Sequence, residues 1–234
     1  GPYVVIGPNV EIGSNVKIYS HVNISGNTKI GDRTVIFPFA SIGNAPQDLK
    51  YAGEKTKVII GNNVIIRESV TINRGTIAYG KTEIGSNVLL MACAHVAHDC
   101  IIGNHTIMAN LATLGGHVEL GKYVNLGGGV LVHQFGKIGS HSFVGGGYRV
   151  VQDVPPFIIV AGEPLRFGGI NKIGLQRRGY SYENRSLIKK AYRLFFISKM
   201  NRSDALNKIK SELPATDEIN SIIQFIESSE RGII

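Results

Sequence analysis

An aliphatic residue recurs at every sixth position of this chain from residue 6 to residue 150. Only Asp48, Glu54 and Ala78 break the series, and glycine often follows the aliphatic residue. A period of six does not produce the 3.6-residue stripe of an amphipathic helix, so the repeat excludes α-helix for this region. The members of the series are Ile6, Ile12, Ile18, Ile24, Ile30, Ile36, Ile42, Ile60, Ile66, Ile72, Ile84, Leu90, Val96, Ile102, Met108, Leu114, Leu120, Leu126, Val132, Ile138, Val144 and Val150.

The six-residue period predicts short strands that are joined by tight turns. The chain holds 29 glycines, which indicates many such turns. Three strands would form a triangular coil of 18 residues, and stacked coils would form a parallel β-helix with the aliphatic residues inside. We therefore predict a mainly β fold over residues 1–156.

Two interruptions of the repeat predict loops that leave the coil. The period fails over residues 43–59 and more briefly at Ile77–Lys81, yet its phase is the same on both sides of each interruption. The longer interruption is predicted to be an outward loop carrying Asp48 and Lys50. Loops on a rigid scaffold are common positions for binding residues, although a purely solvated excursion is the alternative.

The repeat ends at Pro155 and Pro156, and helical patterns follow. Residues 157–180 are predicted to be a connection whose first part, 157–170, is irregular and contains glycine, and residues 181–234 are predicted to be a small C-terminal α-helical domain. Its helices are predicted to begin at Ser181, Ser203 and Thr216, whose side-chain oxygens suit the N-cap position. The first of these helices would run to about residue 200.

Charge and composition narrow the class of partner. The formal net charge is +8, and residues 171–234 carry 12 Lys+Arg against 7 Asp+Glu. Nucleic acid, phosphorylated small molecules or an acidic carrier protein would all fit this excess of positive charge.

No apolar run approaches the ~20 residues that cross a bilayer, and two cysteines are too few for a disulfide framework. We therefore expect a soluble protein of the reduced cytoplasm. The absent initiator methionine predicts a fragment of a longer protein.

The 18-residue coil brings distant histidines to one edge of the predicted prism. Residues 18 apart stack at the ~4.8 Å spacing between strands. His98 then stacks on Gly116 and Gln134, whereas Asp99 stacks on His117. His133 directly precedes Gln134, so three histidines from successive coils should share an edge. The isolated His21, His105 and His141 are interpreted as exposed or hydrogen-bonded turn residues.

Two kinds of chemistry fit such a column of histidines. A neutral imidazole would take a proton from an attacking hydroxyl or amine, with Asp99 holding its tautomer and the Gly116 N–H stabilising an oxyanion. Alternatively, the histidines would ligate a divalent metal. Adjacent strand residues point to opposite faces, so His98 and Asp99 cooperate only if a turn lies there.

Six motifs, in their order along the chain, resemble the UDP-N-acetylglucosamine acyltransferases that begin lipid A biosynthesis. The hexapeptide repeat by itself is shared by many acyl- and acetyltransferases, whereas the ordered set of motifs is specific. The motifs are Gln47–Gly53, Arg67–Gly75, Ala94–Cys100, Gly115–His117, Val132–Phe135 and Gly174–Gly179.

This resemblance implies a homotrimer of left-handed β-helices with active sites in clefts between neighbouring subunits. A 3-hydroxyacyl chain would pass from acyl carrier protein to the glucosamine 3-hydroxyl of UDP-N-acetylglucosamine, with no metal, no organic cofactor and no nucleic acid. By the match of motifs, His98 is the general base, Asp99 lies beside it, and Gly116 is the oxyanion donor. The residues expected to contact the nucleotide sugar, the acyl group, the phosphates or the carrier are Asp48, Lys50, His95, His117, His133, Gln134, Asn171, Arg177 and Arg178.

Other protein classes share parts of the pattern. A related N-acyltransferase acting on an amino-sugar nucleotide would have the same histidine column, but Gln47–Gly53 and Gly174–Gly179 argue against it. A metal-dependent enzyme resembling the γ-type carbonic anhydrases would need companion motifs that are missing here, and a non-catalytic scaffold would have no use for the histidines. Gln176 stands where the family often has a basic residue. Residues Ala161–Gly169 depart most from the family pattern, so the acyl-chain length is left open.

Overall fold

The computed structural model describes residues 1–234 and shows a three-faced prism of short, mostly parallel strands. The first face comprises Val5–Ile6, Asn23–Ile24, Ser41–Asn44, Thr71–Asn73, His95–Val96, Thr113–Leu114, Leu131–Val132 and Arg149–Val150. The second face comprises Val10–Ile12, Asn27–Ile30, Lys57–Ile60, Lys81–Ile84, Ile101–Ile102, Glu119–Leu120 and Lys137–Ile138. The third face comprises Lys17–Ile18, Val35–Ile36, Ile65–Ile66, Leu89–Leu90, Ile107–Met108, Asn125–Leu126, Phe143–Val144, Ile158–Ala161 and Arg166–Ile170.

The strand register has the predicted period. Val5 pairs with Asn23 and Ile101 with Glu119, so one coil takes 18 residues. The corner between the first and second faces is called the first edge below. The corner between the second and third faces is the second edge, and the remaining corner is the third edge. Every chain segment that passes from the first to the second face therefore lies at the first edge.

Both interruptions of the repeat lie at the first edge. The longer one is the loop 45–56, which is shorter than predicted because residues 43–44 and 57–59 belong to strands. Across it the pairing offset rises to 30 residues, and across the segment 74–80 the offset is 24. The first offset exceeds the 18-residue coil by two six-residue units, and the second exceeds it by one. Because each excess is a whole number of units, the period keeps its phase.

The aliphatic series forms one continuous core inside the prism. From Ile24 to Val150 its members are buried, and they join a cluster that continues into the C-terminal helices. Ile6 and Ile12, which were predicted to point into the core, are exposed. They lie in the first coil, where only one side of the strands is covered by another coil.

Glycines at the corners serve close approach between coils more than turn geometry. Most left-handed corner positions are occupied by other residues, such as Asn15, Asp99 and His117. A Cβ at Gly103 would come within 2.6 Å of the backbone of Gly121 in the next coil. The tight turns that the glycine content predicted are present, and glycine is required beside them because the neighbouring backbone leaves no room for a side chain.

Residues 157–170 are not the irregular connection that was predicted. The strand Ile158–Ala161 pairs in parallel with Phe143–Val144 and extends the third face. The strand Arg166–Ile170 then turns back and pairs with it antiparallel. This hairpin caps the prism, and the core continues through Ile158 and Val160, both of which are buried.

The C-terminal region contains four α-helices: α1 Lys172–Arg177, α2 Tyr182–Tyr192, α3 Arg202–Glu212 and α4 Asp217–Glu227. A π-helical segment, Arg193–Ile197, continues α2. Ser181 and Thr216 are N-caps as predicted, but the third helix is capped by Asn201 and not by Ser203. The Asn201 side chain accepts a hydrogen bond from the Asp204 N–H at 2.8 Å, which satisfies an otherwise unpaired helix donor. None of the helices combines the length and the apolar character that crossing a membrane would require.

Candidate active site

The first edge collects most of the side chains that the sequence singled out. The loop 45–56 carries Asp48 and Lys50, and the turns of three later coils carry the histidines. These turns follow the first-face strands that end at Val96, Leu114 and Val132. The residues that lie at this edge or on the strand leading to it are Asp48, Lys50, His95, His98, Asp99, Gly116, His117, His133 and Gln134.

His98 and Asp99 form a hydrogen-bonded pair within one turn. The Nδ1 atom of His98 lies 2.8 Å from Oδ2 of Asp99, whose side chain is fully buried. Asp99 has a φ of +60°, and this left-handed conformation turns its carboxylate toward the preceding imidazole. An Nδ1–H donated to the carboxylate leaves the lone pair of Nε2 free to accept a proton.

Thr76, which sequence reasoning did not single out, fixes the carboxylate of Asp99. The Thr76 hydroxyl donates to Oδ2 at 2.6 Å, and the Thr76 N–H donates to Oδ1 at 2.9 Å. The Asp99 N–H in turn donates to the hydroxyl of Thr82 at 2.9 Å. Thr76 lies in the segment 74–80, and its only sequence signal is the interruption of the repeat at that segment.

Two further histidines flank the pair. The Nδ1 atom of His95 lies 2.7 Å from the hydroxyl of Thr71, and burial, together with the nearby His98, lowers the pKa of His95. Burial is also the main reason that the pKa of His117 is lowered, while Asp99 and then Asp48 act in the opposite direction. Both shifts favour the neutral imidazole. Nδ1 of His117 is buried and forms no hydrogen bond within the chain.

Gly116 is in direct contact with the His98 ring. A Cβ at Gly116 would lie 2.5 Å from Cε1 and 2.7 Å from Nε2 of His98, so only glycine allows this ring position. The Gly116 N–H donates to no acceptor within the chain. An unpaired N–H next to a proton acceptor is the arrangement that stabilises an oxyanion.

The three histidines of the predicted column share the edge but not a single cluster. The rings of His98 and His117 meet edge to face with centroids 5.1 Å apart. His133 is exposed, and its Nδ1 lies 3.1 Å from the backbone oxygen of Gln134. Phe135, a second residue that sequence reasoning missed, stacks on His117 at 4.5 Å.

Asn171, Arg177 and Arg178 lie elsewhere, in α1 or at its caps, and Asn171 and Arg178 contact the second edge of the prism. The Asn171 side chain donates to the His141 carbonyl at 2.8 Å and accepts from the Gly174 N–H, where it caps α1. The Arg178 guanidinium lies 4.7 Å from the centre of the Tyr123 ring. His141 and Tyr123 are corner residues of the second edge, so within one chain these three predicted residues are not brought together with His98.

Three of the edge residues could in principle hold a metal ion. Ligand atoms of His98, Asp99 and His117 lie within 4.8 Å of one another. However, Oδ2 of Asp99 already accepts hydrogen bonds from the Thr76 hydroxyl and lies within hydrogen-bonding distance of His98. Because these contacts occupy the oxygen that faces both histidines, the donor set fits a hydrogen-bonded catalytic pair better than a metal centre.

Two sequence families match the chain. Residues 153–234 match the family described as Udp N-acetylglucosamine O-acyltransferase, Domain 2, and residues 81–116 match the bacterial transferase hexapeptide family with six repeats. An acyl-[acyl-carrier-protein]–UDP-N-acetylglucosamine O-acyltransferase of Thermodesulfovibrio yellowstonii is 49% identical over 234 residues, which is 100% of this chain and 91% of that protein.

Solved structures of similar proteins extend over the whole chain. The structure of LpxA from Acinetobacter baumannii superimposes with a TM-score of 0.97 at 45% identity and covers 100% of this chain and 92% of its own. A UDP-N-acetylglucosamine acyltransferase from Bacteroides fragilis superimposes with a TM-score of 0.89 at 43% identity and covers 100% and 99% respectively. The prism and the C-terminal helices therefore have counterparts in both structures.

Proposed function

The chain belongs to the acyl-[acyl-carrier-protein]–UDP-N-acetylglucosamine O-acyltransferases, and from this membership we propose its substrates and mechanism. It transfers a 3-hydroxyacyl chain from acyl carrier protein to the glucosamine 3-hydroxyl of UDP-N-acetylglucosamine, the first step of lipid A biosynthesis. The observation that carries the proposal is the His98–Asp99 pair at 2.8 Å, with Nε2 of His98 unengaged and Gly116 in contact with the ring.

His98 acts as the general base in this mechanism. Nε2 of His98 takes the proton from the sugar 3-hydroxyl while the hydroxyl oxygen forms a bond to the thioester carbonyl carbon. The carbonyl oxygen becomes an oxyanion that the Gly116 N–H stabilises. As the C–O double bond re-forms, the C–S bond breaks, and the imidazolium returns its proton to the departing thiolate of the carrier. Asp99 stabilises the transient imidazolium through the bond to Nδ1.

The chain assembles as a homotrimer in which each site draws on two subunits. The support is the separation of the predicted residues: His98 lies at the first edge, whereas Arg178 and Asn171 lie toward the second. The second edge of one subunit facing the first edge of its neighbour would bring both groups to one cleft. A mass in solution equal to one 25.3 kDa chain would contradict this assembly.

The acidic carrier docks on a basic groove along α2. Four cations surround a cavity of about 480 Å³ whose remaining lining includes Phe167, Ile170 and Ile197. None of these cations forms an ion pair within the chain, so their charge is available to a partner. The cations are Lys172, Arg185, Lys189 and Arg193.

Reversing one charge of this groove should weaken carrier binding selectively. In Lys189→Glu we expect the KM for the acyl carrier protein to rise about tenfold, since a rim charge attracts an acidic partner and its reversal repels it. The KM for the nucleotide sugar should not change. Steady-state kinetics with each substrate varied in turn measures both values, and Lys199→Glu, outside the groove, is the matched control. An equal rise in both KM values would contradict carrier docking at α2.

Thr76 positions Asp99, and removing its hydroxyl should lower turnover. Thr76→Val keeps the shape and the backbone N–H but deletes the 2.6 Å bond to Oδ2. We expect kcat to fall about tenfold, because a hydrogen bond to a charged group contributes ~1.5–3 kcal/mol. Thr106→Val is the matched control: it is also buried, and its hydroxyl bonds to the Gly121 carbonyl away from the first edge. Equal kcat values for the two variants would contradict the role of Thr76.

Removal of metal distinguishes this mechanism from the carbonic-anhydrase-like alternative. Acyl transfer should continue at an unchanged rate after dialysis against EDTA, because the base is an imidazole and the oxyanion is stabilised by an N–H group. Elemental analysis of the purified protein supplies the complementary measurement. Stoichiometric zinc or iron whose removal abolishes turnover would favour the metal-dependent alternative.

The overall proposal is tested by incubating the protein with UDP-N-acetylglucosamine and a panel of 3-hydroxyacyl carrier proteins, followed by mass spectrometry. The expected product carries one ester-linked 3-hydroxyacyl group on the sugar, and the panel identifies the chain length. Product formed only on a 3-amino sugar nucleotide would favour the N-acyltransferase alternative. We place this reaction in the cytoplasm, where acyl carrier protein is found. The unpaired Cys93 and Cys100 agree with a reducing compartment.

A further inference from the structure

We propose that Arg74 and Tyr51 are positioning residues that hold the loop 45–56 over the active site and thereby set the affinity for the nucleotide sugar. This inference rests on the proposed function, in which Asp48 and Lys50 of that loop contact the substrate. The two residues come from different interruptions of the repeat. Tyr51 lies in the motif Gln47–Gly53 and Arg74 in the motif Arg67–Gly75. No role was predicted for either residue from the sequence.

Arg74 connects the loop to the prism by one hydrogen bond to each. Its Nη1 donates to the Gly43 carbonyl at 2.9 Å, at the end of the strand from which the loop leaves. Its Nε donates to the Tyr51 hydroxyl at 2.9 Å, and the guanidinium lies 5.3 Å from the centre of the Tyr51 ring. Arg74 forms no ion pair within the chain, so its charged group is engaged by one contact with the strand Ser41–Asn44 and one contact with the loop.

Further hydrogen bonds, one of them from Tyr51, restrain other parts of the loop. The Tyr51 hydroxyl donates to the Glu54 carbonyl at 2.9 Å, and the Lys50 N–H donates to Oδ1 of Asp48 at 2.9 Å. The neighbouring Asn73 side chain also donates to the Ala45 carbonyl at 2.9 Å, at the start of the loop. A segment without regular secondary structure is therefore restrained at its start and near its middle.

The absence of a side chain at Gly26 leaves room in the prism for the Arg74 side chain. Gly26 has a φ of +63°, and a Cβ there would lie 3.0 Å from Nη1 of Arg74 and 2.6 Å from the Gly43 carbonyl oxygen. Three successive coils thus contribute to one contact. The contacts with Gly26 and Gly43 therefore restrain the guanidinium independently of the loop.

The restraint acts on the active site through two short paths. Burial lowers the pKa of His117, and the carboxylate of Asp48 in the loop is the weakest of the charges that act on this ring, here in the opposite direction. Two residues after Arg74, Thr76 holds Asp99. The segment 74–80 therefore orients the catalytic pair with one side chain and the binding loop with another.

A loop that is ordered before binding loses less conformational entropy when the substrate arrives. Freeing the loop should therefore weaken binding of the nucleotide sugar and leave the chemistry of His98 largely unchanged. The test uses Tyr51→Phe, which keeps the ring but removes the hydroxyl, and Arg74→Gln, which removes the charge. Tyr19→Phe is the matched control, since Tyr19 stacks on Phe37 away from the loop.

In both variants we expect the KM for UDP-N-acetylglucosamine to rise about tenfold while kcat changes less than about threefold, the pattern of lost uniform binding. The loop itself supplies a second measurement. Trypsin should cleave after the exposed Lys50 and Lys55 several times faster than in the unchanged protein. A purely structural role would instead lower the melting temperature and kcat together and leave KM unchanged.

A double-mutant cycle with Lys50→Ala separates this inference from the proposed function. Lys50→Ala should raise the same KM. Adding Tyr51→Phe should then raise it little further, because the ordered loop no longer positions a Lys50 side chain against the substrate. An unchanged KM in Tyr51→Phe and Arg74→Gln, alongside a raised KM in Lys50→Ala, would overturn the positioning role alone. An unchanged KM in Lys50→Ala would instead overturn substrate binding by the loop.

Discussion

Replacement of His98 by alanine is expected to lower kcat for acyl transfer by ~10²–10⁴-fold, the usual contribution of a positioned general base. A sugar hydroxyl is a poor nucleophile until its proton is removed, and we propose that the proton acceptor is Nε2 of His98, next to the unpaired Gly116 N–H. The KM for the nucleotide sugar should change little, because other residues supply most of the binding. Steady-state kinetics and a single-turnover assay measure both effects.

The fold should survive this change. The His98 side chain lies off the aliphatic column, and Asp99 keeps its bonds from Thr76. The melting temperature and the oligomeric mass of His98→Ala should therefore match those of the unchanged protein. His21→Ala is the matched control, since His21 is a corner residue of the third edge that stacks on Phe39. Full activity in His98→Ala would refute the assignment of the base.

Replacement of Gly116 by alanine is expected to reduce kcat by about 10²-fold, because a displacement of about 1 Å at a catalytic group has that effect. Every functional group of the site remains in this variant. The added Cβ would lie 2.5 Å from Cε1 of His98, so the ring must move. That movement breaks the bond to Asp99 and takes Nε2 away from the Gly116 N–H.

The loss in Gly116→Ala should be local. Gly116 is not among the residues with a left-handed backbone, so alanine introduces no backbone strain there, and the atoms it meets are the end of a side chain that can rotate. Gly7→Ala is the matched control, with its nearest neighbour at 3.5 Å. An unaltered kcat in Gly116→Ala would show that the ring position does not matter. A lowered melting temperature would indicate misfolding instead.

The fold could be predicted from the sequence because its rule is local and repeated. The left-handed parallel β-helix with a C-terminal helical region is confirmed, as is the acyltransferase family. The stacking of Asp99 on His117 follows from the 18-residue coil and is seen in the 3.8 Å approach of Nε2 to the carboxylate. The hairpin 158–170 was missed because its strands follow the repeat and do not continue its period.

Parts of the site depended on segments that the period does not describe. Thr76 bonds to Asp99 across 23 residues, an offset that differs from one coil because of the insertion between them. Likewise, no spacing rule relates Arg74 to Tyr51, which lie in two separate insertions. The position of Arg178 toward the second edge follows from the path of the hairpin and α1, which the six-residue period cannot describe.

The sequence by itself determined the prism and the edge on which His98, Asp99, Gly116 and His117 meet. It also determined the class of reaction, which is acyl transfer. From His95 to Val150, strand pairing adds the same displacement of 18 residues at every coil, so counting residues is enough to find neighbours there. Only the tertiary structure decided how the insertions fold back, which hydroxyl holds the carboxylate and where the arginines stand. Those contacts depend on side-chain reach and on the course of non-repeating segments, for which residue number carries no geometric meaning.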